Sequence, residues 1–188
     1  MARVESNPVA LGTPLPAFRL PDTTGRVRDS AELAGAKAVV VAFLSTRCPF
    51  VLHIRERFAA FAAEAAAHGV STVAINANDG PEEAPARMAA EAATLRYAFP
   101  YLKDETQGVA RRFDAACTPD FYVYGGDGRL AYHGQFDDSR PGSDRPVTGA
   151  DLRAAVDAVL AGRAPAAPQR PSLGCNVKWR EPTAQPVS

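Results

Sequence analysis

The spacing of apolar residues predicts alternating strands and helices in the centre of the chain. The run Lys37 to Phe43 is continuous and rich in β-branched residues, which is typical of a strand covered on both faces. After Pro49, apolar residues recur every three or four positions towards Gly69, which predicts an amphipathic helix. Residues 70–76 predict a second buried strand. Residues 37–76 are therefore predicted to form a βαβ unit with parallel strands.

Two more helices are predicted between this unit and the last third of the chain. Residues 80–97 have a helical pattern, with Pro85 in the first turn, where a missing N–H is tolerated. Residues 99–113 predict a short extended segment followed by a helix. Asp104 and Gln107 have the spacing of an N-cap residue and the N3 residue of that helix.

Antiparallel strands are predicted on both sides of these elements. Residues 16–30 contain two short β-rich runs joined by a turn at Gly25, and residues 119–136 form a second hairpin signal. Residues 148–162 predict a closing helix that is capped by Thr148. A βαβ unit followed by a hairpin and a helix predicts an α/β fold whose mixed sheet carries helices on both faces.

The two ends of the chain differ from this pattern. Residues 1–15 predict an extended lead-in. Beyond residue 162 the chain is rich in Ala and Pro, and because proline lacks a backbone donor, we expect this part to lie outside the regular elements. Cys175 and Trp179 provide apolar anchors, so the tail is expected to pack on the domain. The predicted organisation is a domain over residues 1–162 and a tail over residues 163–188.

Composition narrows the possible functions. Lys and Arg together number 21, as do Asp and Glu, so no excess of positive charge favours nucleic acid as a partner. The N-terminus lacks the apolar region of a signal peptide, and no apolar stretch is long enough to cross a bilayer, so we expect a cytoplasmic protein without membrane contact. No His and Cys spacing resembles a zinc site, and neither a metal nor another cofactor is expected.

Cys48 is the strongest candidate for chemistry. It directly precedes Pro49, the residue type preferred at the first position of a helix. The free N–H groups and the dipole at a helix N-terminus stabilise a thiolate, so we expect the sulfur to face those groups, with the charge of Arg47 nearby. The alternative is a buried structural thiol, since free cysteine is often buried. His53 lies on another side of the helix and is expected at the surface.

The chain resembles the peroxiredoxin-like branch of the AhpC/TSA and redoxin families over roughly residues 10–180. That resemblance implies a thioredoxin-like fold, a three-layer α/β sandwich with an N-terminal extension and a C-terminal tail. The matching segments, in chain order, are CPFVLHI, INANDGPEEAP, FPYLKDETQ, CTPDFYVY, DDSRPG and GCNVKW.

The resemblance also implies an activity and a site. Cys48 falls at the first cysteine of the thioredoxin Cys-x-x-Cys motif, and Val51 replaces the second. Pro119 falls at the proline that such proteins hold in cis opposite the thiol, and Thr118 would offer its backbone to a docking substrate. The implied function is a thiol-disulfide oxidoreductase or a peroxiredoxin-like antioxidant. Its substrate would be a protein disulfide or a peroxide, and its reductant an external thioredoxin-like thiol.

Two departures from the family pattern concern the second thiol. Many members have another cysteine where Ser45 stands. The peroxidase signature Pro-x-x-x-Thr-x-x-Cys is half present, since Ser45 takes the threonine position and Val41 the proline position. A resolving thiol would therefore be Cys175, Cys117 or an external one. We favour Cys175, because a mobile tail can resolve an intermediate and then move away.

A non-catalytic function remains the alternative. In that hypothesis the groove beside Pro119 docks a partner protein, and Cys48 has lost its redox function together with its neighbouring cysteine. Arg111 and Arg112 have no assigned role. Arg140 is expected in an ion-paired turn, unless its loop folds over the thiol and stabilises negative charge there.

Overall fold

The structure is a computed structural model that describes residues 2–180. Its main sheet contains five strands in the order β6-β5-β4-β8-β9, and a second sheet contains three in the order β1-β10-β7. The two remaining strands, β2 and β3, form a hairpin. The elements are β1 (Arg3–Glu5), β2 (Arg19–Pro21), β3 (Val27–Asp29), β4 (Ala38–Phe43), α1 (Pro49–Ala66), β5 (Val70–Asn76), α2 (Pro85–Thr94), β6 (Tyr101–Lys103), α3 (Gly108–Arg112), β7 (Cys117–Thr118), β8 (Asp120–Gly125), β9 (Leu130–Gly134), α4 (Ala150–Leu160) and β10 (Leu173–Asn176).

Strand β4 lies at the centre of the main sheet, as its sequence predicts. It pairs in parallel with β5 and antiparallel with β8, and all of its residues are buried. Val40 and Ala42 pack in the core with α1 and α4, whereas Val39 and Val41 pack in the core with α3 and the β2–β3 hairpin. The predicted mixed sheet with helices on both faces is therefore confirmed.

The stripe predicted on α1 is buried against the sheet. Val51, Ile54, Phe58 and Phe61 all belong to the core on that side. Burying a large apolar side chain stabilises the fold by roughly 1.5–3 kcal/mol, so this stripe fixes the helix firmly on β4 and β5. The N-terminal end of α1 is thereby held at the carboxyl end of β4, where Cys48 lies.

Three helix starts differ from the predictions. Residues 81–83 form a 3-10 turn, so α2 begins only at Pro85. The N-cap of α3 is Gln107 with φ 61°, not Asp104, whose carboxylate instead accepts a hydrogen bond from the Ala110 N–H at 2.8 Å. The N-cap of α4 is Gly149 rather than Thr148.

Both ends of the described chain contribute strands that the sequence did not indicate. Strand β10, from the proline-rich tail, is the middle strand of the three-stranded sheet, with β1 on one side and β7 on the other. The expectation that the whole tail lies outside regular elements is wrong, because the four residues of β10 contain no proline. A domain boundary at residue 162 remains a prediction, and residues 181–188 of the tail lie outside the described residues. Across residues 2–180, no helix has both the length and the apolar character needed to span a membrane.

Candidate active site

Cys48 occupies the turn between β4 and α1. It is the N-cap residue of α1, it is followed by Pro49 at the first helical position, and it is 1 % exposed. Its side chain makes no capping hydrogen bond. The thiol instead donates to the carbonyl oxygen of Thr118 at 3.0 Å. The expected contact of the sulfur with the amides of α1 is therefore not made as a hydrogen bond, because the buried S–H group is satisfied by the Thr118 carbonyl oxygen instead.

The carbonyl that accepts this bond belongs to a crowded loop. The Thr118–Pro119 peptide bond is cis, and Thr118 pairs with Cys175 across strands β7 and β10. Gly174 packs directly on this peptide, because a Cβ atom added there would lie 2.0 Å from the Thr118 oxygen. Strand β10 consequently covers the backbone edge next to the Cys48 thiol.

Cys175 lies close to Cys48, whereas Cys117 faces elsewhere. Partners across an antiparallel pair point to the same face, so Cys175 shares the face of Thr118, and Cys117 occupies the opposite one. Cys48 and Cys175 belong to one apolar cluster. Burial, together with a hydrogen bond to Cys48 and the negative charge of the Cys48 thiolate form, raises the pKa of the Cys175 thiol to about 12. The structure thus brings these two thiols together.

Cys117 lies on the opposite face of β7 from the side that pairs with Cys175. Its thiol is fully buried and lies 3.8 Å from the Pro119 carbonyl oxygen. Burial raises the pKa of the Cys117 thiol, and the neighbouring Asp120 carboxylate and the thiolate forms of Cys48 and Cys175 add to this increase.

The structure does not support a mobile tail as the reason for favouring Cys175 as the resolving thiol. Its strand is paired on both sides, and the residues that follow are held by two amide side chains. Asn78 accepts from the Lys178 N–H at 2.8 Å, and Gln107 donates to the Lys178 carbonyl oxygen at 2.7 Å. The thiol therefore reaches Cys48 from a fixed strand rather than from a mobile tail.

The sequence did not indicate that Asn78 and Gln107 hold the residues after β10, although both lie in segments that resemble the family. Gln107 also accepts from the N–H of Arg180 at 2.8 Å. The intervening Trp179 lies under the guanidinium of Arg111 at 4.5 Å. These contacts join distant parts of the chain, so only their position next to predicted strand and helix ends could have indicated them.

A buried carboxylate, Glu83, was also missed in the sequence. It is 1 % exposed and accepts hydrogen bonds from the Ser45 hydroxyl at 2.5 Å, from the Thr46 N–H at 2.9 Å and from the Asn76 amide at 2.8 Å. Ser45 in turn accepts from the Cys48 N–H at 3.2 Å. The segment GPEEAP gave one signal, a glutamate just after a strand end, but it did not distinguish Glu83 from its neighbour Glu82.

The remaining candidates lie around the thiol pair rather than on it. Arg140 is half-buried and donates to the carbonyl oxygens of Asp137 and Ser139 at 2.8 and 2.6 Å, which ties its own loop. His53 is half-buried rather than at the surface, with its Nε2 3.1 Å from the Ser139 hydroxyl. A narrow cleft runs between these residues, and it is lined also by Phe50, Pro119 and Leu173.

Neither Arg111 nor Arg112 forms a hydrogen bond with Cys48. Arg111 stacks on Trp179, and Arg112 donates to the carbonyl oxygen of Ala17 at 3.1 Å. Within the described part of the chain, no group of three His, Cys, Asp or Glu side chains is arranged to hold a metal ion.

Comparisons with known proteins agree with this architecture. The model of the AhpC/TSA family matches residues 11–133, which is more than half of the chain. A hypothetical protein from Sinorhizobium meliloti is 53 % identical, with a TM-score of 0.92, over 94 % of this chain and 98 % of that one. No curated protein matches the chain.

More distant solved structures show the fold alone. The peroxidoxin BcpB from Mycobacterium tuberculosis is 22 % identical, with a TM-score of 0.61, over 81 % of this chain and 96 % of that one. A thiol:disulfide interchange protein of the thioredoxin family from Chlorobium tepidum is 21 % identical, with a TM-score of 0.63, over 81 % and 99 %. The predicted thioredoxin-like fold is confirmed.

Proposed function

Because the chain belongs to the AhpC/TSA family, we propose that it is a thiol-based oxidoreductase in which Cys48 reacts with the substrate and Cys175 resolves the product. One observation carries this proposal. Cys175 is paired with Thr118, and the carbonyl oxygen of Thr118 accepts the hydrogen bond of the Cys48 thiol. The two thiols also interact through a hydrogen bond, and a disulfide between them requires Cα atoms within about 7 Å of each other.

The proposed cycle has two steps before reduction. The Cys48 thiolate attacks one oxygen of a hydroperoxide, the O–O bond breaks, and the departing alkoxide or hydroxide takes up a proton. The sulfenic acid formed on Cys48 is then attacked by the Cys175 sulfur. An S–S bond forms, the S–O bond breaks, and the hydroxyl group leaves as water with the Cys175 proton. An external dithiol reduces the disulfide by two electrons through a mixed disulfide.

A small oxidant fits the covered site better than a protein disulfide does. Strand β10 occupies the backbone of Thr118, which a docking polypeptide would need. A hydroperoxide needs only a path to the sulfur, and the cleft beside Phe50 and Pro119 adjoins the first turn of α1. The same covered edge argues against a non-catalytic module that docks a partner chain in the groove beside Pro119.

The remaining parts of the proposal follow from the chemistry. A peroxide-reducing enzyme serves an antioxidant role, and its reductant would be a thioredoxin-like protein. Three free cysteines fit a reducing compartment, so we place the protein in the cytoplasm.

Two parallel assays test this proposal. The purified protein is supplied with hydrogen peroxide or tert-butyl hydroperoxide and a dithiol, and separately with insulin as a protein disulfide. We expect turnover of at least one hydroperoxide, its loss on Cys48→Ser, and its retention on Cys117→Ser. Insulin reduction without peroxide turnover would identify a disulfide reductase instead. No reaction of Cys48 in either assay would contradict the proposed function.

A further inference from the structure

Glu83 is buried, and every hydrogen bond that its carboxylate accepts within residues 2–180 comes from a neutral donor, while the nearby Lys103 ammonium donates to its backbone carbonyl oxygen at 3.0 Å. Its Oε1 accepts from the Ser45 hydroxyl, and its Oε2 accepts from the N–H and the hydroxyl of Thr46 and from the Asn76 amide. Burying a carboxylate is costly unless hydrogen bonds replace its water. The Glu83 carboxylate lies at the carboxyl ends of the parallel strands β4 and β5, next to the loop that holds Cys48.

The Ser45 hydroxyl connects this carboxylate to the cysteine. It gives its proton to Glu83, so both of its lone pairs are free to accept. They receive the N–H of Cys48 at 3.2 Å and that of Arg47 at 3.3 Å. The carboxylate therefore determines which way the Ser45 oxygen points, and that oxygen fixes the backbone of the cysteine.

We infer that Glu83 is a positioning residue for Cys48 and that it acts through Ser45. This inference rests on the proposed function, since it concerns the reactivity of the same thiol. The Glu83 carboxylate forms no hydrogen bond with the Cys48 sulfur, so it acts on the position of the thiol rather than on its proton. The Ser45 hydroxyl thus links the thiol loop to the carboxylate.

The identity of the group matters because only a carboxylate accepts at both oxygens. In Glu83→Gln the new NH2 group must face either the Ser45 hydroxyl or the donors of Thr46 and Asn76. In the first orientation the Ser45 oxygen loses the acceptor for its proton. In the second orientation two donors oppose each other. Both leave buried groups unsatisfied and release the loop of Cys48.

Glu91 provides a matched control on the neighbouring helix. It is also a buried glutamate, 8 % exposed, and it accepts a hydrogen bond from the Tyr97 hydroxyl at 2.8 Å. Burial raises the pKa of its carboxyl group and the nearby Glu83 charge adds to that increase, whereas Tyr97 and Arg55 oppose it, so the control also removes a charge close to Glu83. Glu91→Gln therefore changes a buried carboxyl group of the same kind without touching the loop 45–48.

The test compares the rates at which hydrogen peroxide oxidises Cys48 in the full-length variants, measured by quenching and mass spectrometry. We expect the rate constant to fall by about tenfold or more in Glu83→Gln and to stay within about twofold of wild type in Glu91→Gln. The midpoint potential of the Cys48–Cys175 disulfide, measured in dithiol buffers, should shift in Glu83→Gln alone. Equal rates and potentials in the two variants would overturn the inference.

A double-variant cycle tests the route through Ser45, and Ser45→Ala replaces Glu83→Gln if that protein does not fold. Ser45→Ala should lower the rate to a similar extent, and the double variant should be no slower than the slower single variant within about twofold. Multiplicative losses would show that Glu83 acts by another route and would overturn the inference. If the wild-type Cys48 itself does not react, the proposed function fails instead, and the two failures are thus distinguishable.

Discussion

Replacing Gly174 by alanine tests how closely β10 is bound to the thiol loop. The added Cβ would lie 2.0 Å from the oxygen and 2.6 Å from the carbonyl carbon of Thr118, and 3.1 Å from the nitrogen of Pro119. These atoms are backbone in a paired strand and a cis-proline loop, so they cannot rotate away. The strand must therefore move outwards by about 1.4 Å or more to restore an ordinary contact distance of 3.4 Å.

The expected destabilisation combines two effects. Overpacking a tight site costs about 1–3 kcal/mol, and each weakened backbone hydrogen bond between β10 and β7 costs about 1 kcal/mol more. We expect a loss of about 3 kcal/mol, which lowers the Tm of a protein of this size by roughly 6–12 °C. Cys175 should also become accessible, so that its alkylation accelerates by about tenfold or more.

Thermal unfolding followed by circular dichroism, together with alkylation of Cys175 under native conditions, measures both effects. Gly108→Ala is the matched control, since the nearest atom to its added Cβ is the side-chain oxygen of Thr106 at 3.3 Å. That variant should stay within about 1 kcal/mol of wild type. If Gly174→Ala melts with the control and keeps Cys175 protected, the close packing of β10 on Thr118 is refuted.

Three further predictions concern the thiols and the N-terminal hairpin. In Cys175→Ser, peroxide should leave Cys48 as a sulfenic acid that dimedone traps. The control Cys117→Ser should yield no more dimedone adduct than wild type. Equal trapping in the two variants would exclude Cys175 as the resolving thiol. Gln107→Ala removes two hydrogen bonds to the tail and should red-shift the fluorescence emission of Trp179, which is 40 % exposed in the wild-type protein. An unchanged emission spectrum would contradict these contacts of Gln107. Burial tends to raise the pKa of Asp22, but hydrogen bonds from Thr24, Arg28 and Arg26 lower it from 3.8 to about 2. The contribution of Asp22 to the free energy of unfolding is therefore present above pH 4 and is lost as the pH falls towards 2. Asp22→Asn should therefore lower the free energy of unfolding by about 1–3 kcal/mol at pH 7 and by less at pH 2, and an equal loss at both would be inconsistent with that pKa.

The sequence predicted the elements whose pattern is local. The apolar run of β4, the stripe on α1 and the glycine-rich turn between β8 and β9 each combine a periodic signal with a distinct boundary residue. Their burial is set by the residues themselves, so the fold class and the place of Cys48 at a strand-to-helix turn followed from the sequence.

The orientation of the Cys48 sulfur was not predictable in this way. A helix N-terminus and a backbone carbonyl both attract a thiol, and the acceptor that the structure shows belongs to Thr118, which is seventy positions away in the chain. Strand β10 was hidden because its short apolar segment lies between proline-rich stretches and pairs with distant strands. Glu83 was hidden because the donors that justify its burial come from two other strand ends.

Peptide mapping by mass spectrometry after mild oxidation tests the central claim most directly. The full-length protein is treated with one equivalent of hydrogen peroxide, its free thiols are blocked, and its disulfides are identified after digestion without reduction. Our account predicts one dominant disulfide, between Cys48 and Cys175, with Cys117 recovered as a blocked thiol. A dominant disulfide that involves Cys117, or Cys48 and Cys175 both recovered as blocked thiols, would contradict it.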